Sequence, residues 1–375
     1  MGDRVTDSDA NKLVLTSTAF ATEHLHPALG PGWTAILLEA CCVRAKDQRK
    51  YFRECEVLRL PAQESDVVPP SSFIRYHRYG MIEHAAERGS MAMLDWLKAR
   101  KCRWGEDACT AAANGGHLVL LRYLRMQGCP WDTTTCAVAA ERGHLPMLRY
   151  LASQFCPWDE RTCRAAAKGG HLDVLKFAHE KGCEWTERTC ARAAEGGHLD
   201  VLKYAHENGC PWDEETCIAA AEGGHLDVLK YAHENGCPWD EKTCRGAAEG
   251  GHLDVLKYLH ENGCPWNKWT CSCAARWGHL AVLKYAYENE CPWDEQTCEW
   301  AARGGHLDVL KYAHENECPW DEKTCMEAAE GGHLDVLKYA RENECPWNKK
   351  ELLGSCIVVA NTEEIKAWIR TQPDE

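Results

Sequence analysis

The sequence predicts an all-α solenoid built from about ten helix–turn–helix repeats of 27 residues, with helical caps at its ends. A histidine recurs at every step of 27 residues, and a tryptophan keeps the same step. The histidines are His117, His144, His171, His198, His225, His252, His279, His306 and His333. A fixed period of this kind is typical of a solenoid, in which each repeat contacts mainly its neighbours. The repeats extend from about residue 81 to residue 348.

The first half of a repeat, taken from residues 212–238, predicts a short helix with a narrow apolar side. Asp213 predicts an N-cap, because a carboxylate there accepts a hydrogen bond from a free N–H of the first turn. Cys217, Ala220 and Ala221 follow at i, i+3 and i+4, which predicts a buried line of small residues. A Gly-Gly pair then ends the helix.

The second half of the same repeat predicts a second helix that begins near His225. Leu226, Leu229 and Ala232 are expected to be buried, with Val228 beside them. An Asn-Gly pair follows as a C-cap signal, because glycine adopts positive φ without steric cost. Each repeat is therefore expected to be a helix, a turn, a second helix and a short loop.

Four repeats lack glycine at this C-cap and carry Phe155, Glu290, Glu317 and Glu344 instead. A side chain at a left-handed position costs about 1 kcal/mol. The sequence leaves two outcomes open. Either the backbone stays left-handed at that cost, or these helices end differently.

The segment GHLDVLKYAHENG, preceded by AAEG, resembles the ankyrin repeat, and the resemblance covers roughly residues 81–348. It implies stacked helix pairs that bind proteins, with the first helices lining a concave groove. Ankyrin repeats have about 33 residues, so each repeat here is shorter. The shortening falls between the Trp-Asp pair and Thr-Cys, where the family forms a projecting β-hairpin finger. We therefore expect the fingers to be absent and binding to depend on the groove.

The composition restricts the class of partner. The formal net charge of −14 argues against nucleic acid, because phosphate binding needs clustered Lys and Arg. No apolar run is long enough to span a membrane, and the first residues lack the layout of a secretory signal. We expect an intracellular, cytoplasmic monomer, with the nucleus left open, whose acidic exterior favours a basic protein or peptide segment.

The recurring cysteines and histidines allow a zinc hypothesis, with Cys210, Cys217, His225 and His233 as the ligands of one repeat. The two histidines are eight residues apart on one helix, about 12 Å along its axis, which is too far for one tetrahedral ion. A site that combines Cys210 and Cys217 with residues of a neighbouring repeat stays open. We predict neither metal nor cofactor.

Disulfides are the second interpretation of the cysteines. A ladder of Cys-x6-Cys pairs would leave Cys345 without a partner, because Leu352 occupies the corresponding position. A reducing cytosol also opposes disulfides. Free cysteine is a small and often buried residue, so packing is favoured for both cysteine positions.

The repeated histidine and tryptophan are also interpreted as structural. No nucleophile or acid accompanies the histidine in every repeat, as a catalytic base would require. We expect its ring to anchor the turn between the two helices by bonding to the backbone. The tryptophan is expected to cover apolar surface that the missing finger would otherwise protect.

Function is then expected where the repeats differ, which is mainly in the two residues after the helix cysteine. Some of these residues should face outward from the first helix and form a mixed aromatic, apolar and basic strip. Trp and Arg are common at binding hot spots. The candidate binding residues are Arg164, Arg192, Ile218, Arg245, Trp269, Arg276, Trp277, Glu299, Trp300, Arg303 and Met326. Neutral variation on an exposed face is the alternative interpretation.

The two ends do not repeat. Residues 1–80 predict a helical cap or adaptor region with a linker near 61–72, and the segment KLVLTSTAF resembles the latter half of an F-box. The Leu-Pro opening of that family is absent. Residues 349–375 predict capping helices, with Ile365, Trp368 and Ile369 at i, i+3 and i+4.

Together these features predict a non-catalytic protein–protein interaction scaffold. The alternative is a substrate-recognition subunit of a ubiquitin ligase that uses the N-terminal region as its adaptor.

Overall fold

The computed structural model of the chain describes residues 82–99, 102, 104–355 and 362–373. All regular secondary structure in these residues is α-helical, which confirms the predicted fold class. The helical cap, the linker and the adaptor predicted within residues 1–80 lie outside the described residues. The chain divides into two compact units, Met1–Trp131 and Asp132–Glu375.

The described helices alternate between the first and the second helix of a repeat, so odd labels are first helices and even labels are second helices. In the first compact unit they are α1 (82–87), α2 (Met91–Ala99), α3 (Glu106–Asn114) and α4 (Leu118–Met126). In the second compact unit the first helices are α5 (Thr133–Glu141), α7 (Glu160–Lys168), α9 (Glu187–Glu195), α11 (Glu214–Gly223), α13 (Glu241–Gly250), α15 (Lys268–Arg276), α17 (Glu295–Gly304), α19 (Glu322–Gly331) and α21 (Lys349–Ser355). The second helices are α6 (Leu145–Ser153), α8 (Leu172–Glu180), α10 (Leu199–Glu207), α12 (Leu226–Glu234), α14 (Leu253–Glu261), α16 (Leu280–Glu288), α18 (Leu307–Glu315), α20 (Leu334–Glu342) and α22 (Thr362–Thr371).

Neighbouring first helices of the second compact unit pack directly on one another, and each also packs on its own second helix. The small residues Cys217 and Ala220 of α11 are fully buried and permit this close approach. On α12 the buried residues are Val228, Leu229 and Ala232. Leu226 is only half-buried, so the core line of this helix lies beside the predicted one. Each fully buried leucine contributes about 1.5–3 kcal/mol.

An aspartate side chain caps five of the described first helices, as expected, but Asp213, from which the cap was predicted, does not. Asp240 accepts from the backbone N–H of Lys242 at 2.9 Å, and Asp294 accepts from that of Gln296 at 3.2 Å. Asp213 makes no side-chain cap bond, and its Oδ1 is buried without a partner among the described residues. Burial raises the pKa of this carboxyl, and the nearby Glu214 adds to the shift.

The second helices keep one ending whether or not glycine is present. Gly236, after α12, has φ +82°. Glu290, Glu317 and Glu344 have φ values of +64°, +63° and +63°, and Phe155 has φ +56°. Of the two outcomes that the sequence leaves open, the left-handed backbone is the one adopted. These repeats therefore carry local strain in place of a changed geometry.

The loop between repeats is short. Residues 235–240 connect α12 to α13 without a strand, and no β-strand occurs elsewhere in the described residues. This agrees with the expected loss of the finger. At the far end, Ile365 and Ile369 of α22 are fully buried, and the ring of Trp368 lies 6.1 Å from that of Trp347.

Candidate functional site

The repeated cysteines are packing residues in the described part of the chain. All of those described there are free thiols, and all except the half-buried Cys273 are buried. The neighbours are not those of the Cys-x6-Cys ladder considered above, because helix thiols such as Cys163 lie near the loop cysteine that follows 20 residues later. The Sγ atoms of Cys163, Cys244 and Cys271 donate to the carbonyl oxygens of those loop cysteines at 3.8, 4.0 and 3.9 Å. Cys325 and Cys345 are hydrogen-bonded in the same way.

The surroundings of several helix thiols favour the protonated form. A hydrogen bond with the loop cysteine and burial both raise the pKa of Cys190, Cys244 and Cys271. In two pairs the bond to the helix cysteine instead lowers the pKa of the loop cysteine, Cys129 or Cys183, while burial opposes that shift. The thiolate is the form that attacks disulfides and binds metals. The helix thiols with raised pKa are therefore poorly suited to either chemistry.

The four ligands of the zinc hypothesis are not gathered. The Nε2 atom of His225 lies 3.1 Å from the carbonyl oxygen of Glu195, whereas the His233 ring stacks on Trp239 at 3.6 Å between centroids. Within the described residues, no group of three or more His, Cys, Asp or Glu side chains is arranged to hold a metal ion.

The Gly-His histidine anchors the turn through the backbone, as expected, and its bond is to the preceding repeat. A carbonyl oxygen can only accept, so Nε2 of His225 carries the proton. The ring also fills the space beside glycine. A Cβ built on Gly197 would lie 2.5 Å from Nδ1 of His225. The glycine is needed there because its φ is +71° and because the ring takes the place of a side chain.

The recurring tryptophan belongs to an aromatic column on the second-helix side. The His206 ring stacks on Trp212 at 3.6 Å between centroids, and Tyr231 meets the same indole edge-on at 6.3 Å. The ammonium group of Lys203 lies 5.3 Å from the Tyr231 centroid. These contacts recur in later repeats and occupy the indole with packing.

The candidate binding residues differ in accessibility. Exposed side chains are Arg192, Trp269, Arg276, Trp277 and Arg303, and half-buried ones are Arg164, Arg245, Glu299, Trp300 and Met326. Ile218 is 6% exposed and packs into the core, which corrects its prediction as a surface residue. The Ile218 side chain is apolar, so it can be buried without removing a charge from water.

Four of these residues form one cluster at the end of α15 and on α17, which we name the Trp–Arg patch: Arg276, Trp277, Trp300 and Arg303. The Arg276 guanidinium lies 4.5 Å from the Trp300 centroid and 5.6 Å from that of Trp277. The Arg303 guanidinium lies 5.8 Å from the centroid of the Trp300 ring that Arg276 also contacts. Trp269 and Trp277 are 41% and 50% exposed, which makes them large apolar surfaces open to solvent.

The other candidates are engaged separately. Arg192 pairs with Glu195 on its own helix. Glu299 lies 3.8 Å from Lys323, and its pKa is raised by burial against the lowering effect of that lysine. Met326 lines a small cleft together with Leu352.

The candidate residues chosen from the sequence leave out four charged residues that form ion pairs on or beside α15, α17 and α19: Lys268, Asp294, Glu327 and Glu330. Arg303 pairs with Glu327 at 2.6 Å and lies 3.9 Å from Glu330. Lys268 pairs with Asp294 at 2.7 Å. The period contained the signal, because Glu327 and Glu330 stand one repeat after Trp300 and Arg303.

The helix pairs that recur every 27 residues define a helical repeat protein of the α-solenoid class. A family model described as ankyrin repeats (many copies) matches residues 247–287, which include Trp269, Arg276 and Trp277. This match and the recurring pairs confirm the resemblance to ankyrin repeats, a general protein–protein interaction module. A search of the curated proteins found no match. No helix in the described part of the chain is both long and apolar enough to cross a lipid bilayer.

Proposed function

We propose that this chain is a non-catalytic scaffold that binds a protein or peptide along the face formed by its first helices, the concave face in ankyrin stacks. One observation carries the proposal. The repeated cysteine, histidine and tryptophan side chains are occupied by packing, whereas exposed aromatic and basic side chains gather where the repeats differ.

The arrangement of the first helices suits an extended partner. Helices α11, α13, α15, α17 and α19 follow one another as direct neighbours. Packed helices lie about 8–10 Å apart, so their outward residues form a row that a peptide can follow. A small molecule would fill only a fraction of such a row.

The net charge of −14 favours a partner with a basic segment, since unlike charges steer association over distance. Binding should therefore weaken as salt is raised. Affinity that stays the same between low and high salt would contradict the basic partner while leaving the binding face in place.

Affinity capture with the intact chain tests the proposal. The variant carries alanine at Arg245, Glu299, Trp300 and Met326. The matched control carries alanine at four exposed positions of the second helices, Asp227, Lys230, Asp254 and Lys257. The captured proteins should disappear with the variant and persist with the control. The same captured set with all three proteins would show that the first-helix face is not the contact surface.

A further inference from the structure

We propose that the Trp–Arg patch binds an acidic side chain of a protein partner, whose carboxylate pairs with Arg276 while an adjacent apolar side chain covers Trp277. This inference rests on the proposed function and adds the chemistry of the contact.

Within the described residues, no ion pair compensates the charge of Arg276. Helix α15 contains Lys268 and Arg276 and no carboxylate. Lys268 is paired with Asp294, and Arg303 of the next first helix is paired with Glu327. Among the ion pairs of the described residues, Arg276 takes part in none. It is thus the cation of the patch that remains for a carboxylate from outside.

The two indoles orient the guanidinium. Arg276 lies over Trp300 at 4.5 Å and near Trp277 at 5.6 Å. A guanidinium held against aromatic faces keeps the N–H donors of its edge free, and these match a carboxylate in bidentate geometry. A partner ion pair formed there loses less side-chain entropy than one formed by a freely moving arginine.

The backbone beneath this side chain is also held. The carbonyl oxygen of Arg276 accepts from Nε2–H of His306 at 3.1 Å. The position of the helix end is therefore set by the next repeat, and the patch is attached to a packed element.

Trp277 stands at a position where the neighbouring repeats have glycine. The adjacent repeats have Gly250 and Gly304 there, and a Cβ on Gly304 would lie 2.6 Å from the carbonyl oxygen of Arg276. Trp277 is 50% exposed, so half of a large apolar side chain is open to solvent. Departures from the residue that neighbouring repeats carry are expected at functional sites. Tryptophan and arginine are also the residues most often found at hot spots.

A partner that is basic overall can still carry the acidic side chain that pairs with Arg276. Long-range attraction depends on net charge and is screened by salt, whereas the ion pair at Arg276 depends on one contact.

Selection from a displayed library of random peptides tests the inference, with the full chain as bait. Peptides that carry Asp or Glu beside a large apolar residue should be enriched, and their affinities are then measured by calorimetry. Arg276→Gln should weaken binding of such a peptide at least about tenfold, because a charge-assisted hydrogen bond is lost. Replacing the peptide carboxylate by the amide should weaken binding to the wild type equally and have little further effect on the variant.

Arg341→Gln is the matched control. Arg341 is also held against an indole, with its guanidinium 4.3 Å from the Trp347 centroid, but it lies on the second helix α20 and not on the first-helix face. It should leave the affinity unchanged. Peptides that bind the wild type and Arg276→Gln equally would overturn this inference and leave the proposed function standing. The absence of any enriched peptide would count against both.

Two further outcomes would assign the patch to another occupant and overturn the inference. The first is a phosphoserine version of the peptide that binds at least about tenfold more tightly than the glutamate version, since a phosphate carries more charge. The second is a dimer of the chain in solution that Arg276→Gln dissociates.

Discussion

The Nε2 atom of His306 donates to the carbonyl oxygen of Arg276, 30 residues earlier, at 3.1 Å. The bond joins one repeat to the first helix of the repeat before it. The same relationship holds between His252 and Glu222 at 3.1 Å. Each such histidine thus stabilises the contact between repeats while fixing the end of the helix that carries the variable residues.

We expect His225→Ala to lower the free energy of unfolding by about 1–3 kcal/mol, because the Glu195 carbonyl loses its partner and the ring leaves a gap beside Gly197. Urea unfolding followed by circular dichroism measures this. Glu234→Ala, at an exposed position of the same repeat, should change it by less than about 0.5 kcal/mol. Equal changes in the free energy of unfolding for the two substitutions would show that the His225 bond does not stabilise the fold.

We expect Glu317→Gly to raise the free energy of unfolding by about 1 kcal/mol, because glycine removes the steric cost of φ +63°. The midpoint of thermal or urea denaturation reports the change. Asp308→Gly, in the first turn of α18, should instead be destabilising by about 0.5–1 kcal/mol, since it removes a carboxylate from the positive end of the helix dipole. Destabilisation by both substitutions would mean that the Glu317 side chain makes contacts that outweigh the strain.

The buried thiols should resist alkylation in the native protein. Their raised pKa and their burial both limit the thiolate exposed to a reagent. After a short exposure to iodoacetamide near neutral pH, peptide mapping should find Cys190, Cys244 and Cys271 unmodified, and modified once urea is present. The half-buried Cys273 is the internal comparison, since it should react first. Rapid native modification of Cys244 would contradict the structure.

Stability should fall at alkaline pH. The pKa of Cys190, Cys244 and Cys271 is raised above the reference value of 9.0, so the folded state holds protons that the unfolded state releases. Their contribution is complete below pH 9 and is lost as pH rises above it, by about 1.4 kcal/mol per pH unit for each thiol that stays protonated. Urea unfolding at several pH values tests the sign. A free energy of unfolding that rises above pH 9 would exclude it.

Much of the fold could be predicted because the signals are local. The 27-residue period, the helix pairs and the buried Cys217 and Ala220 follow from spacing within one repeat. The backbone bond of the histidine was also predicted, since no catalytic partner accompanies it. For the candidate site, variation between repeats pointed to Trp277 and Arg276 before any geometry was known.

The sequence by itself determined which residues are repeated and which vary, because a period is a property of the chain. Only the tertiary structure decided that Cys217 meets Cys237 rather than Cys210, that Asp213 leaves its cap bond unmade, and that Ile218 is buried. These outcomes depend on how one repeat packs on the next. Such a contact brings together atoms some 20 to 30 residues apart, and the spacing within a single repeat carries no information about it.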